Sequence, residues 1–223
     1  MQRFDAIVFD FDGALAELVL DFEEMKLRVA TLAGEYLAAP PVPGAVPVLE
    51  WVEALTGDIR RQGENGRGQA FRGRAHGLIE DMEIAAARSP LLFHFTKPLL
   101  AALAERGVKT AIITRNCRRA VERIFPDASA YVSTIIARED AIRVKPDPEH
   151  LLQALRAMGA APSRSLMVGD HPMDIATGKA AGTLTGAVAS GRISLDALRL
   201  AGPDFAAADA AALLRPFLEK EVL

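Results

Sequence analysis

Short, mostly apolar runs recur along the chain, at Ala6–Phe9, Val108–Ile113, Val132–Ile136, Leu166–Val168 and Leu184–Ala189. Between most of them, apolar residues return every three or four positions, over Lys97–Arg106, Arg118–Ile124, Pro148–Met158 and a stretch after Pro172. The first pattern predicts strands that are apolar on both faces, and the second predicts amphipathic helices. Strands of that kind alternating with helices build a parallel sheet covered on both sides, a doubly wound, Rossmann-like α/β fold. In such sheets the chemistry gathers in the loops at the carboxyl ends of the strands.

Residues 16–89 break this rhythm. Asp21 with Glu24 three positions on has the form of a capping box. Behind it Phe22, Met25, Val29, Leu32, Ala33 and Tyr36 keep a helical period. The prolines between Pro40 and Pro47 end that helix, and a shorter one is expected over Val48–Leu55. Phe71, Ala75, Leu78, Ile79, Met82 and Ala86 predict a third. An α/β core of residues 1–15 and 90–223 thus carries an all-helical cap domain, residues 16–89, inserted after the first strand. The connections near Leu15–Leu20 and Ser89–Pro90 are the expected hinges.

Composition narrows the function classes. Half of the 223 residues are hydrophobic and a quarter charged, which excludes a disordered chain. A net charge of −3 gives no domain-wide positive field for nucleic acid. Nothing approaches the roughly 18 uninterrupted apolar residues of a membrane span. Met1–Asp5 leads at once into a strand, so no signal peptide is expected, and Cys117, the one cysteine, fits a reducing cytoplasm. A monomer or homodimer acting on a small molecule is the expectation.

Four clusters fall at predicted strand ends: Asp10-Phe11-Asp12-Gly13-Ala14; Thr114-Arg115-Asn116; Lys145-Pro146-Asp147-Pro148; and Gly169-Asp170-His171-Pro172-Met173-Asp174, trailed by Ala180-Ala181-Gly182. In this order and spacing they resemble the haloacid dehalogenase superfamily, in particular its capped, phosphoglycolate phosphatase-like members. The resemblance covers nearly the whole chain, and the Gly-Asp-x-x-x-Asp stretch is its most specific part. It implies hydrolysis of a small phosphomonoester, 2-phosphoglycolate among the candidates, through an aspartyl-phosphate. Asp10 is then the nucleophile and Asp12 the general acid and base. Thr114 and Lys145 complete the catalytic set, and Gly13, Thr114, Arg115, Asn116 and Lys145 line the phosphate. Mg²⁺ falls to Asp10, Asp12 (through its main-chain carbonyl), Asp170 and Asp174. Ala14 departs from the family pattern, which usually has Thr or Val there. Asp12 sets the chain apart from the dehalogenase branch, which lacks this second acid.

The chemistry of the residues agrees. Each like-charged pair near 4 Å costs about 4 kcal/mol at an effective dielectric of about 20, so four aspartates and a phosphate dianion cannot share a site with one lysine alone. A hard divalent cation with oxygen ligands resolves the repulsion, and carboxylates with water and phosphate suit Mg²⁺. A carboxylate nucleophile splits hydrolysis into two displacements, and a second carboxyl of raised pKa protonates the leaving alkoxide. Two alternatives keep the same core: a phosphomutase of the β-phosphoglucomutase type, and a non-catalytic regulatory protein. His76, His94, His150 and His171 lack zinc-ligand spacing, Cys117 reads as packing, and Trp51 reads as cap core. The segment Arg60–Gly77 carries five arginines among five glycines and reads first as a solvated, imperfect helix; where part of it faces the crevice, Arg72 or His76 is its candidate reader of the substrate's non-phosphate end. Gly73 and Gly77 within a helix there suggest close approach of another surface.

Overall fold

A computed structural model describes residues 4–62, 65–87 and 91–219. The chain divides into two compact units, one made of residues up to Leu18 and from Ala87 onward, the other of Val19–Ala86.

The first unit is organised by a six-stranded parallel sheet. Its strands are β1 (Ala6–Phe9), β4 (Lys109–Ile113), β5 (Thr134–Ile136), β6 (Ser165–Gly169), β7 (Leu184–Val188) and β8 (Phe205–Ala207), in the order β5-β4-β1-β6-β7-β8. The chain winds outward from β1 through β4 to β5, then returns to the other side of β1 and continues through β6, β7 and β8. The direction of winding therefore reverses at β1, the place where doubly wound sheets bind their ligands. Register brings the strand ends level: Phe9 lies between Ile112 and Val168, and Gly169 opposite Ala187.

Alternation sorts the strands' side chains onto two covered faces. Ala6, Val8, Ala111, Ile113, Ile136 and Met167 pack with Leu151, Ala154, Leu155 and Met158 of α6 (Glu149–Met158) and Ala181 of α7 (Pro172–Ala181). Ala187 continues that face, packing with Ile175 of α7 and Leu198 of α8 (Leu195–Arg199). On β7 the neighbouring residue points the other way. A β-carbon at Gly186 would lie 2.9 Å from Leu213 of α9 (Ala210–Glu219), so glycine lets that helix close on the strand. Helices α4 (Thr96–Glu105) and α5 (Arg118–Ile124) complete the unit. The doubly wound α/β expectation is met, with β8, α8 and α9 added beyond the elements expected from sequence.

A second, two-stranded antiparallel sheet pairs β2 (Ala16–Glu17) with β3 (Leu91–Leu92), where no strand was expected. Of the two predicted hinges, Leu15–Leu20 thus contains a paired strand, whereas Ser89–Pro90 lies outside the described residues.

Among the described residues, the second unit holds three helices, α1 (Phe22–Ala33), α2 (Val48–Gln62) and α3 (Asn65–Ala86). Asp21 caps α1 by accepting from the Glu24 N–H at 2.9 Å, but Glu24 pairs with Arg28 at 2.7 Å. Met25, Val29, Ala33, Val52, Leu55, Ile59, Phe71, Ala75 and Ile79 form the buried face of the helices. Helix α2 runs past the expected Leu55 because Ile59 continues its apolar stripe. A β-carbon at Gly73 or Gly77 would meet nothing within 4 Å, contrary to the expected close approach; Gly68 is the crowded one, overlapping Arg60. Among the described residues, no helix is long and apolar enough to cross a membrane.

Candidate active site

Three loops leave the level strand ends of β1, β4 and β6, and a fourth segment, before α6, joins them. β1 delivers Asp10, whose N–H continues the ladder to Val168 O at 2.8 Å. The chain then turns sharply. Gly13 adopts φ +78°, a conformation that disfavours any side chain, and its N–H closes on Ala16 O at 2.7 Å. Ala16 N–H returns to Phe11 O at 3.0 Å, so this bridge is made by the neighbours of Asp12 and does not use the Asp12 carbonyl. Ala14 is fully buried beneath the turn.

Asp10 Oδ1 accepts from its neighbour's N–H, Phe11, at 2.7 Å and from Lys145 Nζ at 2.8 Å. Lys145 also reaches Asp174 Oδ1 at 2.7 Å, and its side chain is only 2 % exposed. A lysine buried this deeply stays charged only because two carboxylates hold it. Burial pulls its pKa down, but Asp10 and Asp174 outweigh that and keep it above the usual lysine value. The second Asp174 oxygen accepts from His171 N–H at 3.1 Å, while His171 Nδ1 accepts from Met173 N–H at 3.0 Å. This reciprocal cap starts α7 and fixes Asp174 on its first turn.

Carboxylate oxygens of Asp10, Asp170 and Asp174 lie within 4.8 Å of one another. Asp12 contributes no carboxylate to that trio; its Oδ1 accepts from Leu18 N–H at 2.7 Å. The crowding shows in the acidities. Burial, only partly offset by Lys145, pushes the Asp10 carboxyl up to about 6. Burial likewise raises Asp12 to about 7, the charge of Asp10 adding to it and Arg192 opposing. Asp170 rises to about 8, through burial first and then the charges of Asp10, Asp174 and Asp12. Acids held this far above their usual range mark a place short of positive charge.

Space has been made around Asp170. A β-carbon at Gly13 or at Gly191 would overlap its carboxylate, so two glycines from different loops form a cradle that no other residue could share. Ser190 beside it donates its hydroxyl to Gly13 O at 2.6 Å, tying the loop after β7 to the turn after β1. Three convergent carboxylates, two of them held protonated to unusually high pH by burial and by neighbouring charge, and a tailored pocket for Asp170 form a donor set suited to a hard divalent cation.

Thr114 follows β4, 1 % exposed. Its N–H donates to Ile136 O at 3.1 Å, and its Oγ1 accepts from Asn116 N–H at 3.1 Å, which leaves the hydroxyl proton for another acceptor. Arg115 Nη1 points to Lys145 O at 2.5 Å and to Met173 Sδ at 3.5 Å. The main-chain carbonyl of Asn116 accepts from Arg138 N–H at 3.2 Å. Asp10, Lys145, Asp170 and Asp174 are thus in mutual reach, Gly13 touches the group through Asp170, and Arg115 touches it through the Lys145 main chain.

Lys145 is joined to Pro146 by a cis peptide bond. Asp147 Oδ1 accepts from Glu149 N–H at 2.9 Å and opens α6 immediately behind it. His150, on the first turn of α6, is fully buried and accepts from Lys145 N–H through Nδ1 at 3.2 Å. Burial, with the Lys145 charge adding to it, lowers the His150 pKa to about 4. His150 and the Ser190–Gly191 pair were not singled out from the sequence. In the helical unit, Arg72 Nε and His76 Nε2 both turn to Glu53 Oε1, at 2.7 and 3.4 Å.

A family model for haloacid dehalogenase-like hydrolases matches residues 4–182. N-acetylmuramic acid 6-phosphate phosphatase of Pseudomonas aeruginosa is 30 % identical over 208 residues, covering 86 % of this chain and 84 % of that protein. Pyrophosphatase PpaX of Bacillus cereus is 38 % identical over 108 residues, 46 % of this chain and 49 % of that one. The chain thus matches about half the length of its pyrophosphatase relatives. Among solved structures, a predicted phosphoglycolate phosphatase from Haemophilus somnus superposes with a TM-score of 0.66 at 19 % identity, covering 97 % of this chain and 99 % of that one. CbbY from Rhodobacter sphaeroides, in complex with phosphate, gives 0.61 at 21 %, covering 94 % and 99 %. At these identities the likeness to solved structures is one of fold.

Proposed function

The chain belongs to the haloacid dehalogenase-like hydrolases, and from that premise we propose that it is a Mg²⁺-dependent phosphatase acting on a small phosphomonoester through an aspartyl-phosphate on Asp10. The observation that carries this reading is the buried Lys145 held between Asp10 and Asp174, with Asp170 in the same group.

Asp10 Oδ1 takes both Lys145 and the Phe11 N–H, so Oδ2 is the oxygen left for phosphorus. As the O–P bond forms, the ester P–O bond breaks, and Asp12 gives its proton to the departing alkoxide. A carboxyl near pKa 7 is half protonated at neutral pH and suits that task. In the second displacement Asp12 takes the proton of the attacking water, inorganic phosphate leaves, and Asp10 is restored. Lys145 and the Thr114 hydroxyl hold the phosphoryl oxygens where charge spreads in the transition state. Gly13, Arg115 and Asn116 shape the phosphate loop around them. Mg²⁺, held by the Asp10 carboxylate, the Asp12 carbonyl and Asp170 with Asp174 in support, supplies the positive charge that lets a phosphate dianion join these acids.

In this reading the α/β unit, residues up to Leu18 and from Ala87, is the catalytic core and the helical unit Val19–Ala86 is the cap, near the expected bounds of 1–15 with 90–223 and 16–89; specificity is to be sought in the cap. 2-Phosphoglycolate is the first substrate to try, and the relatives add N-acetylmuramic acid 6-phosphate and pyrophosphate to the panel. The test is phosphate release across that panel, with and without EDTA, for wild type and Asp10→Asn. Release abolished by both treatments supports the reading. Release that survives either one in folded protein sinks it.

A further inference from the structure

Lys145 is held by more than its charge. Both of its main-chain polar atoms are claimed by side chains, its carbonyl by Arg115 Nη1 from the loop after β4 at 2.5 Å and its N–H by His150 Nδ1, five residues on, at 3.2 Å. The other ring nitrogen of His150 lies 3.0 Å from Ile136 O, the same carbonyl that accepts from Thr114 N–H at 3.1 Å. Hydrogen-bond logic fixes the tautomer. Nδ1 accepts, so the proton sits on Nε2, and Nε2–H donates to Ile136 O. One neutral imidazole therefore ties the main chain of the lysine to the carbonyl on which the threonine loop is hung.

We propose that His150 is a positioning residue, which places the Lys145 ammonium against Asp10 and sets its spacing from Thr114 by bridging Lys145 N–H and Ile136 O. This rests on the phosphatase reading, in which Lys145 and Thr114 hold the phosphoryl group. It touches neither substrate nor metal. Its effect is geometric: the lysine loop can shift along the sheet edge once the bridge is cut, and displacements of about 1 Å at such a site cost up to about 100-fold in rate.

The two ends of the bridge can be cut separately. The amide oxygen of Asn stands near the place of Nδ1, and the amide nitrogen of Gln near that of Nε2. His150→Asn therefore keeps the acceptor for Lys145 N–H and loses the donor to Ile136, and His150→Gln does the reverse. Steady-state kinetics with a small aryl phosphate and Mg²⁺, alongside thermal melting, should show His150→Gln losing about 10- to 100-fold in kcat. KM should move less than about threefold, and His150→Asn, which cuts the other end of the same bridge, should lose a comparable factor at a similar melting temperature. The second arm is a double-mutant cycle. In a Lys145→Met background, where turnover is expected to be slow, His150→Gln should cost no more than about twofold further, because the group it positions is gone. Wild-type rate in either variant, or the same fold-loss in both backgrounds, would overturn the positioning role and leave His150 a packing residue. If Lys145→Met alone keeps full activity, the phosphatase assignment of Lys145 fails and the positioning role falls with it. That outcome shows in the lysine variant before any histidine variant is read.

Discussion

Lys145 and Asp174 form an ion pair 2.7 Å long whose side chains are 2 % and 1 % exposed, and the second Asp174 oxygen caps the helix that carries it. One carboxylate thus joins the charge balance of the site to the fold of α7. Breaking a buried pair by removing one partner costs about 3–5 kcal/mol. Because Lys145 keeps Asp10, Asp174→Ala should cost somewhat less, about 2–4 kcal/mol, measured by urea unfolding without metal. Turnover should fall with it, since Lys145 is then drawn toward Asp10 alone. An unfolding midpoint within error of wild type would contradict the pairing.

Asp10, Asp12 and Asp170 sit at about 6, 7 and 8 in the folded protein, against 3.8 for an ordinary aspartate. Raised carboxyls bind more protons folded than unfolded, so stability falls as pH rises. The loss begins near pH 4 and is complete only above about pH 8, once Asp170 has ionised. Metal-free protein should therefore be most stable on the acid side of neutrality, losing stability from pH 5 to 8. Saturating Mg²⁺ should flatten that slope, and Asp170→Asn should remove part of it. Thermal melts over this range, with and without Mg²⁺, check the sign.

Gly191 has no unusual backbone angle, so only space forbids a side chain there. Gly191→Ala should push Asp170 aside while leaving the sheet intact. The Mg²⁺ concentration for half-maximal activity should rise about 10-fold or more, as for a displaced metal ligand, with a small change in melting temperature. A normal Mg²⁺ titration would mean that Asp170 does not bind the metal.

Arg72 pairs with Glu53 at 2.7 Å with both side chains about half exposed. Such a pair contributes about 0–1 kcal/mol. Arg72→Ala should cost no more than that in stability and should change KM alike for an aryl phosphate and for the best substrate found. A selective rise in KM for the latter would make Arg72 the reader of the substrate's non-phosphate end.

What was legible in the sequence follows what is local. β1, β4, β6 and β7 announce themselves because strands buried on both faces must be apolar throughout, and α5 was placed to the residue. The acids at strand ends stand out because a charge beside such a run is costly without a purpose. β2 escaped because two residues with one exposed carry no period, and its partner lies beyond the whole insertion. His150 reads as one polar residue on an amphipathic helix. Its worth comes from Lys145 and Ile136, and the latter lies on β5, outside the helix. Gly191 within Ala-Ser-Gly-Arg reads as a turn, and only the folded loop shows Asp170 in its place. The raised pKa values of these acids were likewise out of reach, because burial is a property of the fold.

The pairing of β1 with β6 also has a consequence for how the chain is made. Asp5 and Arg164, which sit at the start of that pairing, are 159 positions apart. At about 5–20 residues per second, a ribosome takes roughly 8–30 s to supply the second after the first. Throughout that interval β1, the central strand, has one edge open while the apolar run Ala6–Phe9 is already synthesised. Its other neighbour, β4, also arrives late, after the helical insertion. The nascent chain therefore holds a wholly apolar strand in waiting through most of its synthesis, and this is a segment on which a holdase chaperone is expected to act.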